Sequence, residues 1–166
     1  AAAAAHIHGI SPKRIADALA GFVGAHRRME RKGTLKGAVV YDDYGHHPDE
    51  IRATIQGARE MGFLRVLCAY QPHTYSRTAG LLQEFSEAFA EVDKVFFADI
   101  YPAREQNVYG VSSADIASMI GKKAVYCGSF SATAEALKRE AREGDLMIVM
   151  GAGDIYRVFP LLGLEE

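Results

Sequence analysis

Residues 41–50 read YDDYGHHPDE, so two carboxylates, a phenol and two imidazoles fall within one short polar loop. The apolar run 38–41 before the loop predicts a buried strand. Pro48 predicts the start of a helix, since its missing N–H costs nothing at the first helical position. Ligands of α/β proteins bind at the carboxyl ends of such strands, which makes this loop a candidate site. An alternative is purely structural: Asp42 and Asp43 end the strand and His47 caps the helix.

Polar segments also follow three later predicted strands, and they too contain side chains that could take part in binding or catalysis. Arg77, Arg104 and several aromatic or imidazole groups occur in these segments, although a surface turn alone does not require them. Because parallel strands end at the same edge of a sheet, all four segments are expected at one edge. The three segments are QPHTYSRT at 71–78, DIYPARE at 99–105 and GAGD at 151–154.

Two familiar kinds of site are not supported by these motifs. The GAGD segment lacks the third glycine of a dinucleotide-binding fingerprint and follows the last predicted strand instead of the first. His46 and His47 have no clear Asp, Glu or His partner at helical spacing, so no metal site is predicted.

The elements that position these loops alternate regularly along the chain. Near-continuous apolar strands separated by amphipathic helices predict an α/β, Rossmann-like fold with a mostly parallel sheet and helices on both faces. Residues 29–31 and 38–41 are predicted to form a hairpin across Lys32 and Gly33, with Arg27 and Arg28 just before it. If the arginines lie on a strand they point to opposite faces, so only one can share a site with a given ligand. The predicted strands are 38–43, 64–70, 94–98, 124–127 and 146–150, and the predicted helices are 47–61, 78–90, 112–120, 131–142 and 154–162.

Composition restricts the class of protein. With 166 residues, 49% apolar and 24% charged, the chain has the make-up of a globular protein with about one domain. A net charge of −2 argues against a nucleic-acid or anionic-membrane partner, and no apolar run reaches the length of a membrane span. Cys68 and Cys127 lack C-x-x-C spacing and lie in apolar surroundings, which predicts buried free thiols in a reducing, cytoplasmic compartment.

The amino-terminal residues predict a different unit. Residues 1–8 indicate a helix that stops at Gly9, and Ser11 followed by Pro12 predicts the cap and first turn of a second helix. Two short helices do not make a domain, and the start carries neither a methionine nor a secretory signal. We therefore expect residues 1–26 to be the end of a preceding domain and its linker, and residues 27–166 to be one domain. Residues 24–26 are the hinge candidate.

The polar motifs carry a family resemblance in their order and spacing. DDYGHHPDEI, QPHTYSRT, DIYPARE, GVSS and GDLMIVMGAGD together resemble the carboxy-terminal domain of the Mur ligases. Residues 1–30 resemble the end of that family's central ATPase domain and the junction into the last domain. DDYGHHP with QPHTYSRT is similar to the alanine-adding branch in particular. The resemblance covers essentially the whole chain.

The resemblance implies an ATP-dependent amide ligase of peptidoglycan precursor synthesis. UDP-N-acetylmuramate would take the γ-phosphoryl group of ATP as an acyl phosphate, and the amino group of L-alanine would then displace phosphate. Such chemistry needs positioning and charge neutralisation, by cations and by magnesium. On the nucleotide side, the resemblance implies that Arg28 reaches the phosphates, that Asp43 binds the ribose or anchors Arg28, and that Tyr44 contributes to nucleotide binding.

On the substrate side, the resemblance implies that His46 lies beside the reacting carboxyl and amine. Together with Arg28 and Asp43, His46 is a candidate catalytic residue. Arg77, with His73 and Tyr75, would bind the substrates, since a guanidinium holds a carboxylate in two places. The carboxylate is that of L-alanine or of the muramoyl lactyl group, and the sequence leaves both open.

The sequence departs from the family pattern in two ways. Thr74 stands where some members carry arginine, which puts the role of that cation in doubt. The chain contains no Gly-x-x-x-x-Gly-Lys-Ser/Thr loop, so ATP and magnesium are expected to be held mainly by upstream domains, and the chain alone is expected to be inactive. Two alternatives remain: a free-standing nucleotide-binding module, and the branch of the family that recycles murein tripeptide.

Overall fold

The structure, a computed structural model, describes residues 1–22 and 24–165. After a first strand that begins at residue 30, the chain alternates strands and helices from residue 38 onward, as the apolar pattern predicts. The strands are β1 Glu30–Leu35, β2 Ala38–Asp43, β3 Arg65–Tyr70, β4 Lys94–Ala98, β5 Ala124–Gly128 and β6 Asp145–Met150. The helices are α1 Ala2–Ile7, α2 Pro12–Ala20, α3 Pro48–Glu60, α4 Tyr75–Gly80, α5 Leu82–Ala88, α6 Ser113–Ile120, α7 Phe130–Glu140 and α8 Val158–Leu162.

The six strands form one sheet in the order β1-β2-β6-β3-β4-β5, parallel except for the antiparallel pair β1 and β2. Every residue of β6 is buried, and its side chains alternate between two cores. Leu146 and Ile148 pack into a core with α3, α5 and α6, whereas Met147 and Val149 pack into a core with α7 and α8. The Rossmann-like α/β class, with helices on both faces, is confirmed.

The helix after β2 begins where the sequence predicts. Pro48 is its first residue, and His47 is its N-cap, with Nδ1 accepting a hydrogen bond from the Asp49 N–H at 3.4 Å. Glu50 Oε2 accepts from the His47 N–H at 3.2 Å and completes a capping box. The structural interpretation of His47 is therefore confirmed.

The first hairpin differs from the prediction. Its turn lies at Lys36 and Gly37, whose φ angles of 50° and 84° suit a tight two-residue turn, and not at Lys32 and Gly33. Gly33, with φ 145°, instead lies at an irregularity in the β1–β2 register. Arg27 and Arg28 precede β1, so the alternation of side chains along a strand does not decide which of them faces the site.

Two predicted helices are divided in the structure. The segment predicted as one helix over 78–90 starts earlier, at Tyr75, because the Thr74 hydroxyl accepts from the Arg77 N–H. It then breaks at Leu81, where φ of −126° leaves the helical region, to give α4 and α5. The segment predicted over 154–162 starts as a 3₁₀ turn, Ile155–Arg157, before α8.

Helices α1 and α2 differ from the helices that cover the sheet, because neither contains a buried residue. Ser11 caps α2 as predicted, with its hydroxyl 3.4 Å from the Arg14 N–H. Among the residues that the structure describes, no helix is long and apolar enough to cross a membrane. The hinge expected at 24–26 adjoins Val23, which lies outside the described residues, and the division at residue 26 stays a prediction.

Candidate functional site

The polar loops meet at the carboxyl edge of the sheet because five of its strands run parallel. The chain leaves β2 and β3 toward the face covered by α3 and α5, and it leaves β6 toward the opposite face, covered by α8. Since β6 lies between β2 and β3, neighbouring loops diverge there and open a crevice. The candidate site occupies this crevice.

Arg27 crosses the edge and ties the segment before β1 to the ends of β2 and β6. Its Nε donates to Asp42 Oδ2 at 3.0 Å and its Nη2 donates to the Gly151 carbonyl at 2.7 Å. The guanidinium also lies between the rings of Tyr44 and Tyr156, with centroids 5.1 and 5.3 Å away. Only 12% of the side chain is exposed. Sequence reasoning assigned no role to Arg27, although Asp42 at the end of β2 offered a counter-ion.

The two aspartates at the end of β2 have different partners. Asp42 holds Arg27, and burial raises the pKa of the Asp42 carboxyl while Arg27 opposes that rise. Asp43 accepts from the Met29 N–H at 3.0 Å and from the Gly45 N–H at 2.8 Å. The anchor expected between Asp43 and Arg28 is therefore replaced by a bond to the Met29 backbone. A ribose contact by Asp43 stays a prediction, and its side chain is only 3% exposed.

Arg28 and Tyr44 form the open side of the crevice. The Arg28 guanidinium is half exposed, with Nη1 3.6 Å from Glu50 Oε1. It lies 5.7 Å from the centroid of the Tyr44 ring, on which Arg27 also rests. Tyr44 is 37% exposed, so both it and Arg28 are accessible to a ligand entering from solvent.

Two imidazoles face each other across the crevice. His46 Nδ1 lies 3.1 Å from the Tyr44 carbonyl and 3.4 Å from Glu50 Oε2. The His73 ring lies 6.1 Å from the His46 ring and stacks on Tyr101 at 5.4 Å. Burial lowers the pKa of His73, with smaller contributions from the positive charge of Arg77 and from His46, so His73 is neutral at pH 7.

Two nitrogen atoms in this group lack a hydrogen-bond partner among the described residues. Arg77 Nη1 and His73 Nδ1 are buried and have no hydrogen-bond partner within the described part of the chain. A buried group left unpaired costs roughly 1–3 kcal/mol, more when charged, so such atoms call for an explanation. Tyr75 is the first residue of α4, two residues from Arg77. Thr74 is the N-cap of that helix.

The glycine loop after β6 is packed closely against its neighbours. A Cβ added at Gly153 would lie 2.5 Å from Gln71 Oε1 and 2.7 Å from Tyr101 Cβ, so only glycine fits. Gln71 Nε2 donates to Asp154 Oδ1 at 3.0 Å and links this loop to β3. An open cavity of about 360 Å³ lies beside it, lined in part by Gln71, Tyr101 and Asp154.

The site can therefore bind an anion and orient it beside imidazoles. Arg28 lies at its solvent side, the unpaired nitrogens of His73 and Arg77 lie inside, and the His46 ring lies 6.1 Å from the His73 ring. The described residues contain no group of three or more His, Cys, Asp or Glu side chains placed to hold a metal ion.

Comparisons with known proteins show the family of the chain. The family model described as "Mur ligase, glutamate ligase domain" matches residues 27–153. The UDP-N-acetylmuramate–L-alanine ligase of Lachnospira eligens is 47% identical over 152 residues, which cover 90% of this chain and 33% of that protein. The ligase of the same name from Acetivibrio thermocellus is 45% identical over 159 residues, covering 94% of this chain and 34% of that protein. The chain thus spans about a third of the length of these curated relatives.

Solved structures show the same fold. The crystal structure of UDP-N-acetylmuramate–alanine ligase from Thermotoga maritima superposes with a TM-score of 0.73 at 25% identity. That match covers 94% of this chain and 33% of the other. A murein peptide ligase from Psychrobacter arcticus gives a TM-score of 0.62 at 22% identity, covering 97% of this chain and 35% of the other, which supports the fold alone.

Proposed function

Since the chain belongs to the Mur ligase family through its glutamate ligase domain, we propose that it is the carboxy-terminal part of an ATP-dependent ligase that joins L-alanine to UDP-N-acetylmuramate. The curated relatives that match it carry that name, and the chain spans about a third of their length. Residues 1–26 would then end the preceding domain, and residues 27–166 would form one wall of a site between domains in a cytoplasmic enzyme.

The observation that carries the proposal is the buried, unpaired Nη1 of Arg77, together with the unpaired Nδ1 of His73, whose ring lies beside His46. A substrate carboxylate or acyl phosphate supplies the acceptor that the guanidinium lacks, and a guanidinium suits it best. Burial lowers the pKa of His73, and its neutral ring can donate one hydrogen bond without adding a charge. Arg27 is paired with Asp42, so the positive charge offered to the substrate beside His73 is that of Arg77.

Each of the other residues has a part in the proposed reaction. ATP, when bound, supplies the phosphoryl group that activates the substrate carboxylate. Arg28 and Tyr44, both accessible, would contact its phosphates and its sugar or base. His46 lies between the loops, where it can orient the incoming amine and accept a proton from it. Asp43 holds the Met29 and Gly45 backbone, so its part is to fix the loop that carries Tyr44 and His46.

In the proposal, magnesium is bound mainly by the other domains of the ligase. Mg²⁺ is usually held by one or two carboxylates together with substrate phosphates and water, and in the proposal the other domains supply those carboxylates. Because the chain has no phosphate-binding loop of the Walker type, we expect the 166-residue chain alone to have no ligase activity.

The test is ligation of L-alanine to UDP-N-acetylmuramate by the full-length ligase, wild type beside Arg77→Ala. The matched control is Arg52→Ala, which removes an exposed arginine bound to Asp49 on α3. We expect Arg77→Ala to lose at least about tenfold in kcat/KM, equivalent to roughly 1.4 kcal/mol of transition-state stabilisation. Arg52→Ala should stay within about twofold of the wild type.

Other outcomes would replace the proposal. If the wild-type enzyme accepts a murein tripeptide and not alanine, the recycling reaction takes its place. If the 166-residue chain binds AMP or a dinucleotide tightly without partner domains, the chain is a free-standing nucleotide-binding module. If Arg77→Ala matches the wild type, the residue assignments are wrong even though the family is right.

A further inference from the structure

The loop after β3 is joined to the loop after β4 by two backbone hydrogen bonds. The Thr74 N–H donates to the Tyr101 carbonyl at 2.8 Å, and the Tyr101 N–H donates to the Pro72 carbonyl at 2.9 Å. The His73 ring stacks on the Tyr101 ring between these two bonds. His73 therefore takes its position from residue 101.

The second link between the loops is a carboxylate. Glu105 Oε2 accepts from the Ser76 N–H at 2.8 Å, and Glu105 Oε1 accepts from the Ser76 hydroxyl. The Ser76 hydroxyl lowers the pKa of Glu105, which keeps the carboxylate ionised at neutral pH. Both carboxylate oxygens of Glu105 thus accept hydrogen bonds from Ser76, one from its backbone and one from its side chain. These two bonds fix the start of α4.

The helix that carries Arg77 cannot hold this position by itself. Helix α4 has six residues, of which Thr78 alone is buried, and isolated helices so short are not stable. Its N-cap, Thr74, has φ of 70°, which is unfavourable for a β-branched residue. The strained cap and the short helix both require outside support, and Glu105 supplies it one residue before Arg77.

We propose that Glu105 is a positioning residue of the ligase site, which holds α4 through Ser76 and so places Arg77 and His73 to bind the substrate anion. The inference rests on the proposed function for the identity of that anion. It gives the DIYPARE segment an indirect part in substrate binding, in which Glu105 acts through α4 and does not touch the substrate itself.

The chain offers a matched control in Asp115. Asp115 Oδ2 accepts from the Ser112 N–H at 2.7 Å and from the Ser112 hydroxyl at 3.0 Å, at the start of α6. This is the same pair of bonds from a carboxylate to a serine. In the described part of the chain, Asp115 has no hydrogen bond or salt bridge to the groups of the site. Loss of either carboxylate should therefore affect a helix start, but only Glu105 should affect substrate binding.

The kinetic test uses the full-length ligase with Glu105→Ala, Glu105→Gln and Asp115→Ala. We expect Glu105→Ala to raise the KM of one carboxylate substrate, L-alanine or UDP-N-acetylmuramate, by about tenfold, since a misplacement of about 1 Å can cost a hundredfold. The KM of ATP should change by less than about twofold. Glu105→Gln keeps one acceptor oxygen and should fall between Glu105→Ala and the wild type, whereas Asp115→Ala should match the wild type.

A second readout does not depend on ligation. In ¹⁵N NMR spectra of the 166-residue chain, Glu105→Ala should shift the amide signals of residues 73–78, and Asp115→Ala should not. If the wild-type enzyme fails to ligate alanine, the proposed function falls, but these spectra still decide the position of α4. Unchanged amide signals at 73–78, unchanged KM values, or equal effects of Glu105→Ala and Asp115→Ala would each overturn the inference.

Discussion

Arg27 should contribute far more to stability than its neighbour Arg28, and the difference should depend on pH. Arg27→Met removes the bonds to Asp42 and to the Gly151 carbonyl but keeps an apolar side chain between Tyr44 and Tyr156. Removing one partner of a buried ion pair costs about 3–5 kcal/mol, because the other charge stays buried and unpaired. With 12% of Arg27 exposed, we expect about 3 kcal/mol, near the lower end of this range.

The pH dependence follows from the pKa of Asp42. Burial already raises that pKa, and Arg27 is the largest of the effects that lower it, so Arg27→Met raises it further. A carboxyl with a raised folded pKa favours folding when protonated, so its penalty appears as pH rises through the folded pKa. The loss of stability in Arg27→Met should therefore be largest at neutral pH and should shrink as pH falls through that pKa.

The assay is urea unfolding of the 166-residue chain between pH 5 and pH 8, with a double-mutant cycle. Arg28→Met is the control: its guanidinium is half exposed and 3.6 Å from Glu50, so we expect less than about 1 kcal/mol. Asp42→Asn combined with Arg27→Met should recover about 1 kcal/mol or more relative to the sum of the single changes. The reasoning would be refuted if Arg27→Met lowered the free energy of unfolding by the same amount at every pH and the effects of Arg27→Met and Asp42→Asn were additive.

Two further predictions concern the loops of the site. Gly153→Ala should destabilise the chain by about 1–3 kcal/mol in urea unfolding, because the added Cβ would lie 2.5 Å from Gln71 Oε1. The control is Gly57→Ala in α3, where an added Cβ meets no atom within 4 Å, and this change should be neutral or stabilising. Equal effects of the two changes would contradict the packing argument. The His73 imidazole should titrate below 6.5 in an NMR pH series because burial lowers its pKa, so folding stability should rise with pH up to the unfolded value near 6.5. A midpoint at or above 6.5 would show that the ring is not desolvated.

Much of the fold could be predicted because its signals are local. Apolar runs, the Ser112 and His47 caps and the proline after His47 all act within a few residues of their own positions. The order of strands is not local: β6 is last in sequence but lies between β2 and β3, since all its residues are apolar or buried and the centre of the sheet offers the most burial. Periodicity predicts that β6 is buried on both faces, but not which two strands cover its edges.

The segment with Arg27 and Arg28 shows a limit of sequence reasoning. The argument from strand alternation, by which only one of them can share a site with a given ligand, holds only if both residues lie on a strand. In the structure Arg27 and Met29 have φ of 53° and 47°, so the chain turns twice before β1 begins. That turn directs Arg27 inward to Asp42 and leaves Arg28 at the solvent edge. Positive φ at non-glycine residues has no reliable signal in sequence.

The structural interpretation of the DDYGHH loop holds for three of its residues. Asp42 Oδ2, Asp43 and His47 accept hydrogen bonds from Arg27, from the backbone and from the start of α3. The functional interpretation of the loop stays a prediction. An unpaired buried atom does not mark a binding site by itself, because the described residues also leave three oxygens without a partner, those of Asp42 (Oδ1), Gln71 (Oε1) and Ser113 (Oγ). Arg77 Nη1 differs from these oxygens because it carries positive charge beside His73, and that charge is what favours an anion site on the loop after β3.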